Sequence, residues 1–142
     1  MDLFINFTSY LGSFNTFILW LIMLFFCFSS ILIFLKLFGY SGLYVYSALA
    51  VIIGNIQVLK TVDFFYSTKP VALGTILFAS TFLCTDILSE HFGKEKAKKN
   101  VLIGFTSFLF MTIIMLITIS FKPSENDWIQ NSLSNVFTPM SR

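Results

Sequence analysis

One apolar stretch constrains this chain more than any other feature. Residues 14–38 contain Lys36 as their only charged side chain, and a helix needs roughly 20 apolar residues to cross a bilayer. The stretch is too long for the apolar region of a signal peptide, and the residues before it include Asp2 but no Lys or Arg. We therefore expect a retained membrane span rather than a cleaved leader.

The composition extends this expectation to the whole chain. Hydrophobic residues make up 56% of the sequence and charged residues only 11%, and the mean hydropathy is +0.84. A soluble domain carries about 25% charged residues. Because so few charged groups cannot cover the surface of a water-soluble domain of this size, the sequence predicts an integral membrane protein.

Three further apolar segments follow the first one. The predicted spans cover about residues 14–38, 43–62, 71–91 and 101–121, and a polar tail then leads into the start of a fifth element. The predicted fold class is all-α, a polytopic transmembrane helix bundle of about four spans. Residues 1–142 are expected to form a single membrane domain.

The distribution of lysines predicts an orientation, since short cytoplasmic loops are enriched in Lys and Arg. The predicted loop 93–100 is the most basic one, so we expect it to be cytoplasmic, and alternation of the spans then places the N-terminus outside. The lysines assigned to the inner side are Lys36, Lys94, Lys96, Lys98 and Lys99, and those assigned to the outer side are Lys60, Lys69 and Lys122.

Two acidic residues lie in the third predicted span. Asp86 and Glu90 are four residues apart, so they share one helix face, with Phe82 one turn earlier on that face. A charged side chain in the hydrocarbon costs about 2.5–3.5 kcal/mol on insertion scales and usually faces a cavity or a partner helix. The alternative is an interfacial Glu90 and an Asp86 paired with a lysine of a neighbouring helix.

A second polar cluster ends the second predicted span. Asn55 and Gln57 lie about 200° apart around a helix, so they share a face only if the helix is broken, for instance at Gly54. The alternative is hydrogen bonding between helices, which is common for Asn and Gln in membranes. Lys60 then extends to the outer interface.

Several functional classes lack support in the sequence. No Ser-His-Asp set, metal-ligand spacing or glycine-rich phosphate loop occurs, so we expect no enzyme, no metal and no cofactor. Cys27 and Cys84 each lie in an apolar run, and we expect both to be buried thiols. The basic run 94–99 is explained as a cytoplasmic anchor rather than a nucleic-acid surface.

The third predicted span and the residues after it carry a specific motif. The motif runs Thr85-Asp86-Ile87-Leu88-Ser89-Glu90-His91-Phe92-Gly93-Lys94, followed by Ala97 and a pair of lysines. It strongly resembles the signature of the queuosine precursor transporter family, with His91 standing where that family usually has an aromatic residue. Residues 54–60 and 135–142 are similar to neighbouring segments of the same family.

The resemblance implies import of 7-cyano-7-deazaguanine and 7-aminomethyl-7-deazaguanine across the bacterial inner membrane. Members of that family continue with further helices, so we expect this chain to be the N-terminal part of a longer transporter. The expected partners are the nucleobase and the lipid bilayer, with no nucleic acid, and a homo-oligomer is compatible with this interpretation.

Candidate substrate-binding residues follow from the polar clusters and the resemblance together. A deazaguanine offers amide and amino donors, a carbonyl acceptor and an apolar ring face. Carboxylates suit the donors, side-chain amides suit either partner, and an aromatic ring stacks on the base. The candidates are Asn55, Gln57, Phe82, Asp86 and Glu90.

Two other functions remain compatible with the residues. One alternative is a membrane-embedded substrate-binding subunit for another vitamin-like molecule, which requires a separate ATP-hydrolysing partner. It is also compatible with a structural or assembly protein whose polar residues only hold the helices together.

Overall fold

A computed structural model describes residues 2–64, 68–124 and 127–141. The elements, in chain order, are α1 (Asp2–Gly12), α2 (Thr16–Phe38), α3 (Tyr40–Gln57), β1 (Thr61–Val62), β2 (Val71–Ala72), α4 (Thr75–His91), α5 (Lys94–Ser120), α6 (Gln130–Phe137) and a final 3₁₀ turn at Pro139–Ser141. The described part of the chain is therefore mainly helical, as the composition predicts.

Local sequence explains where the first long helix begins and ends. The Asn15 side chain accepts a hydrogen bond from the Phe17 N–H at 3.0 Å, which satisfies one of the free amides at the start of α2. Gly39 ends the helix with φ of +60°, a backbone conformation that other residues rarely adopt. Helix α3 then starts at the next residue, so α2 and α3 form a tight hairpin.

Helix α3 lies at the centre of the structure. It packs against α2, α4 and α5, while α4 also contacts α2 and α5, and the short α6 contacts α5. The core side chains between these helices include Ile31, Leu43, Ala50, Cys84 and Leu88. Cys27 and Cys84 are both buried and free, which confirms the expected pair of buried thiols.

Two of the helices contain apolar segments long enough to cross a membrane. Among the described helices, α2 with 23 residues and α5 with 27 residues are long and apolar enough to cross a membrane. In each of them, only 11% of the apolar 18-residue segment is buried. Helices α3 and α4 have 18 and 17 residues, slightly fewer than the roughly 20 that a span usually needs. Helix α3 packs against both of these longer helices.

The predicted boundaries of the second and third spans were wrong at one end each. The 43–62 segment is helical only from Tyr40 to Gln57, and the 71–91 segment becomes helical only at Thr75. Between these helices, β1 and β2 pair antiparallel, with Thr61 opposite Ala72. This pairing provides backbone hydrogen bonds for residues that would otherwise have formed them by continuing the helix.

The basic run is helical rather than a loop, which corrects the predicted loop 93–100 and the predicted start of the fourth span at 101. Only Phe92 and Gly93 separate α4 from α5, and Gly93 has φ of +93°. Lysine, glutamate and alanine are good helix formers, so α5 starts immediately at Lys94. Helix α1 was also not predicted, and the short helix α6 lies in the region where the start of a fifth element was expected.

The α2–α3 turn and the α4–α5 turn lie at the same end of the helix bundle. The Lys96 Nζ atom lies 3.5 Å from the centroid of the Tyr40 ring, and the Tyr40 and Phe92 rings are 5.9 Å apart. Lys36, in the last turn of α2, therefore lies at the same end as the basic run. This is the arrangement that alternating spans require.

A buried hydrogen-bond chain joins α3 to α4. The Tyr46 hydroxyl donates to Ser80 Oγ at 2.8 Å, and Ser80 Oγ donates to the Leu77 carbonyl oxygen at 2.6 Å. Replacing Tyr46 by phenylalanine keeps the ring and removes one bond, so we expect the free energy of unfolding to fall by about 0.5–1.5 kcal/mol. Thermal unfolding in detergent measures this.

The matched control is Tyr44→Phe. Among the described residues, the Tyr44 hydroxyl makes no hydrogen bond, and its ring packs on Tyr40. We expect this variant to unfold with the wild type. Equal unfolding temperatures for Tyr46→Phe and Tyr44→Phe would contradict a structural role of the Tyr46–Ser80 bond.

Candidate functional site

Three of the predicted site residues lie on one outward face of α4. Phe82 is 70% exposed, and Asp86 and Glu90 are exposed one and two turns later. Neither carboxylate forms a hydrogen bond or an ion pair with any residue in the described ranges. Among the described residues, Asp86 therefore does not pair with a lysine of a neighbouring helix. The oxygens of both carboxylates can accept hydrogen bonds from N–H groups of another molecule.

The other two predicted residues point to different neighbours. Asn55 donates from Nδ2 to the Val51 carbonyl oxygen in its own helix at 2.8 Å. Gln57 contacts α2, with Nε2 placed 3.7 Å from the Met23 sulfur, while its buried Oε1 has no hydrogen-bond partner within the described part of the chain. Helix α3 is continuous past Gly54, so no helix break brings the two amides together.

A cavity of about 270 Å³ lies between α3, α4 and α5. Its polar wall combines residues from all three helices, and Phe82 and Phe105 provide aromatic surface beside it. The polar lining residues are Ser47, Thr81, Thr85 and Asn100. Of the five predicted site residues, only Phe82 lines this cavity, although Asn55 follows one turn after the lining residue Val51.

Asn100 has a fixed orientation at this cavity. The Thr85 hydroxyl donates to the Thr81 carbonyl oxygen at 2.9 Å, so toward Asn100 it can only accept, and Asn100 Nδ2 donates to it at 3.2 Å. This arrangement leaves Asn100 Oδ1 as the free atom. Asn100 is 2% exposed and its Oδ1 has no partner in the described structure.

Ser47 is the second buried polar residue with an unused group. It is 2% exposed and lies beside the Cys84 thiol, but its Oγ makes no hydrogen bond of ordinary geometry among the described residues. A buried polar atom without a partner costs about 1–3 kcal/mol. Both residues line the cavity, and a ligand that supplies the missing partner when the side chain turns toward it is one explanation of such buried atoms.

Sequence reasoning missed Ser47 and Asn100. Ser47 is a lone hydroxyl in an apolar span, and Asn100 was assigned to a loop. The available signal was the spacing of Ala97, Asn100 and Gly104, which places small or amide residues on one helix face. In the structure this face is buried, and a Cβ on Gly104 would lie 3.3 Å from the Val51 side chain.

The comparisons with known proteins agree with the motif. The family described as "putative vitamin uptake transporter" matches residues 72–142, which include the acidic face of α4 and the α4 and α5 walls of the cavity. A Bacillus subtilis (strain 168) protein described as "Probable queuosine precursor transporter" is 36% identical over 107 residues, 75% of this chain.

The match covers 46% of the Bacillus protein, so this chain spans about half the length of that relative. No solved structure matches the chain. The family match over half of the chain confirms the resemblance of residues 85–94 and is consistent with the two long apolar helices. The chain therefore belongs to the putative vitamin uptake transporter family of membrane transport proteins.

Proposed function

We propose that the protein containing this chain imports queuosine precursors, the 7-deazaguanine bases, across the bacterial inner membrane. The observation that carries the proposal is the 36% identity to a probable queuosine precursor transporter over 75% of this chain. The family match supports transport in general, and the relative's name supports the substrate class. The exact base and the direction of movement are part of the proposal.

The exposed face of α4 supplies the chemistry that such a base requires. Asp86 and Glu90 accept hydrogen bonds from the amide and amino groups, and Phe82 offers an aromatic surface for stacking. Carboxylates without partners are costly in a membrane helix, so a role in substrate recognition explains their presence. Asn55 and Gln57 supply further polar contacts from α3 in this proposal.

The proposed topology has four spans, α2 to α5, with the N-terminus outside. The two shorter helices, α3 and α4, cross the membrane together with α2 and α5 because they pack between them. The end that carries Lys36 and the basic start of α5 faces the cytoplasm. A reporter fused at residue 97 is then cytoplasmic and one fused at residue 127 is external, and the reverse result would overturn this orientation.

Uptake of labelled 7-cyano-7-deazaguanine tests the proposed function. Bacteria that express the complete gene should accumulate the label faster than cells with an empty vector, and excess unlabelled 7-aminomethyl-7-deazaguanine should compete. Proteoliposomes without ATP should also take up the base, because the proposed transporter needs no ATPase partner. Uptake no faster than in empty-vector cells would contradict the proposal.

A further inference from the structure

The cavity between α3, α4 and α5 has a donor and acceptor pattern that selects a ligand chemistry. The hydroxyl hydrogens of Thr81 and Thr85 are both used, because they point to the carbonyl oxygens of Phe78 and Thr81. Only acceptor capacity remains on these two side chains. The buried Asn100 Oδ1 is also an acceptor, so apart from the second N–H of Asn100 Nδ2 these three side chains offer acceptors to N–H or O–H donors of an occupant.

Ser47 adds one adaptable group to this acceptor-rich wall. A hydroxyl can donate and accept at once, so the buried Ser47 Oγ can complement a carbonyl next to an N–H. The aromatic side chains Phe82 and Phe105, which are 70% and 63% exposed, stand at the cavity on α4 and α5. Their rings offer flat apolar surface to a planar ligand.

The dimensions favour a small ligand. The cavity of about 270 Å³ is just below the range of about 300–1,000 Å³ that is typical of sites for drug-sized molecules. It is also much larger than a single water requires. A neutral heterocycle with an adjacent N–H and C=O fits both this size and the pattern of free polar atoms.

We propose that this cavity binds the lactam edge (–NH–C=O) of a small, neutral, planar heterocycle, with Asn100 Oδ1 accepting from the N–H and Ser47 Oγ donating to the carbonyl. This inference rests on the proposed function, because a 7-deazaguanine is a heterocycle with such a lactam edge. It adds a recognition site on α3 and α5 to the carboxylates of α4, and Phe82 belongs to both.

Direct binding measurements on the purified full-length protein test the proposal. The probes are 7-cyano-7-deazaguanine, guanine and 1-methylguanine, in which a methyl group replaces the hydrogen of the lactam N–H. We expect Ser47→Ala to weaken binding of the first two by about threefold to tenfold and Asn100→Ala by about tenfold. The wild type should bind 1-methylguanine more weakly than guanine.

Ser80→Ala is the matched control. Ser80 is a buried serine on α4 that already donates to Leu77 and accepts from Tyr46, and it does not line the cavity. This variant should unfold at a lower temperature and bind the bases with wild-type affinity. Ser47→Ala should keep an unfolding temperature close to that of the wild type and bind the bases more weakly, because among the described residues the Ser47 hydroxyl has only its contact with the Cys84 thiol to lose.

The outcomes separate this inference from the proposed function. Wild-type affinity in both Ser47→Ala and Asn100→Ala would overturn the cavity assignment while leaving import intact. Guanine binding that depends on both residues, without any binding of the deazaguanine, would support the cavity and contradict the proposed substrate. If the wild type binds none of the lactam probes, the cavity assignment is overturned as well.

Discussion

Replacing Gly42 by alanine should prevent α2 and α3 from packing and should destabilise the protein by about 3 kcal/mol or more, at or above the upper end of ordinary overpacking. A Cβ at this position would overlap the carbonyl oxygen of Phe34 and would lie 2.7 Å from its carbonyl carbon. These are backbone atoms of α2, so no side-chain rotation relieves the clash. The Phe38 Cβ, at 3.1 Å, closes the remaining space.

The effect should be large because Gly42 lies in the first turns of the central helix, directly after the tight turn at Gly39. Small residues at helix interfaces permit such close backbone approach in membrane proteins. Thermal unfolding and the monodisperse fraction after detergent extraction measure the effect. Gly12→Ala is the control, since nothing lies within 4 Å of its Cβ, and equal stability of the two variants would refute the close α2–α3 contact.

Replacing Asp86 by asparagine should reduce uptake of labelled 7-cyano-7-deazaguanine at least tenfold. A hydrogen bond to a charged group contributes about 1.5–3 kcal/mol, and every 1.4 kcal/mol corresponds to a tenfold change in affinity. Asparagine keeps the size of the side chain but loses the charge and one acceptor. Glu90→Gln tests the second carboxylate in the same way.

The amount of Asp86→Asn protein in the membrane should remain at the wild-type level. Asp86 makes no hydrogen bond or ion pair with the described residues, and removal of a charge from a membrane helix lowers its insertion cost. Asp63→Asn is the control, because Asp63 is an exposed carboxylate in the connection between α3 and α4. Undiminished uptake by Asp86→Asn would remove Asp86 from the site, and loss of the protein itself would assign it a structural role.

The sequence predicted the helices better than their ends. Long apolar runs require helical structure in a membrane because the backbone groups have no water to bind, so α2 and α5 are readable from composition. The end of α3 at Gln57 was not readable, because Val58 to Val62 is apolar enough to continue a span. The strand pair that replaces it depends on contact with Val71 and Ala72, more than a helical turn away in sequence.

Only the charged residues of the candidate site were readily predictable from the sequence. Asp86 and Glu90 stand out because carboxylates are rare in apolar helices, and their shared face follows from their spacing. Ser47 and Asn100 do not stand out, because a hydroxyl or an amide is unremarkable in a membrane helix. They stand out only in the structure, where packing buries both and leaves an atom of each without a partner among the described residues.

The queuosine content of tRNA tests the central claim most directly. A bacterial strain that can neither make nor import the precursors should contain queuosine in its tRNA when it receives the complete gene and 7-cyano-7-deazaguanine in the medium. The Asp86→Asn version of the gene should restore much less. Absence of queuosine in cells that hold the wild-type protein in their membrane would contradict the assignment as a queuosine precursor importer.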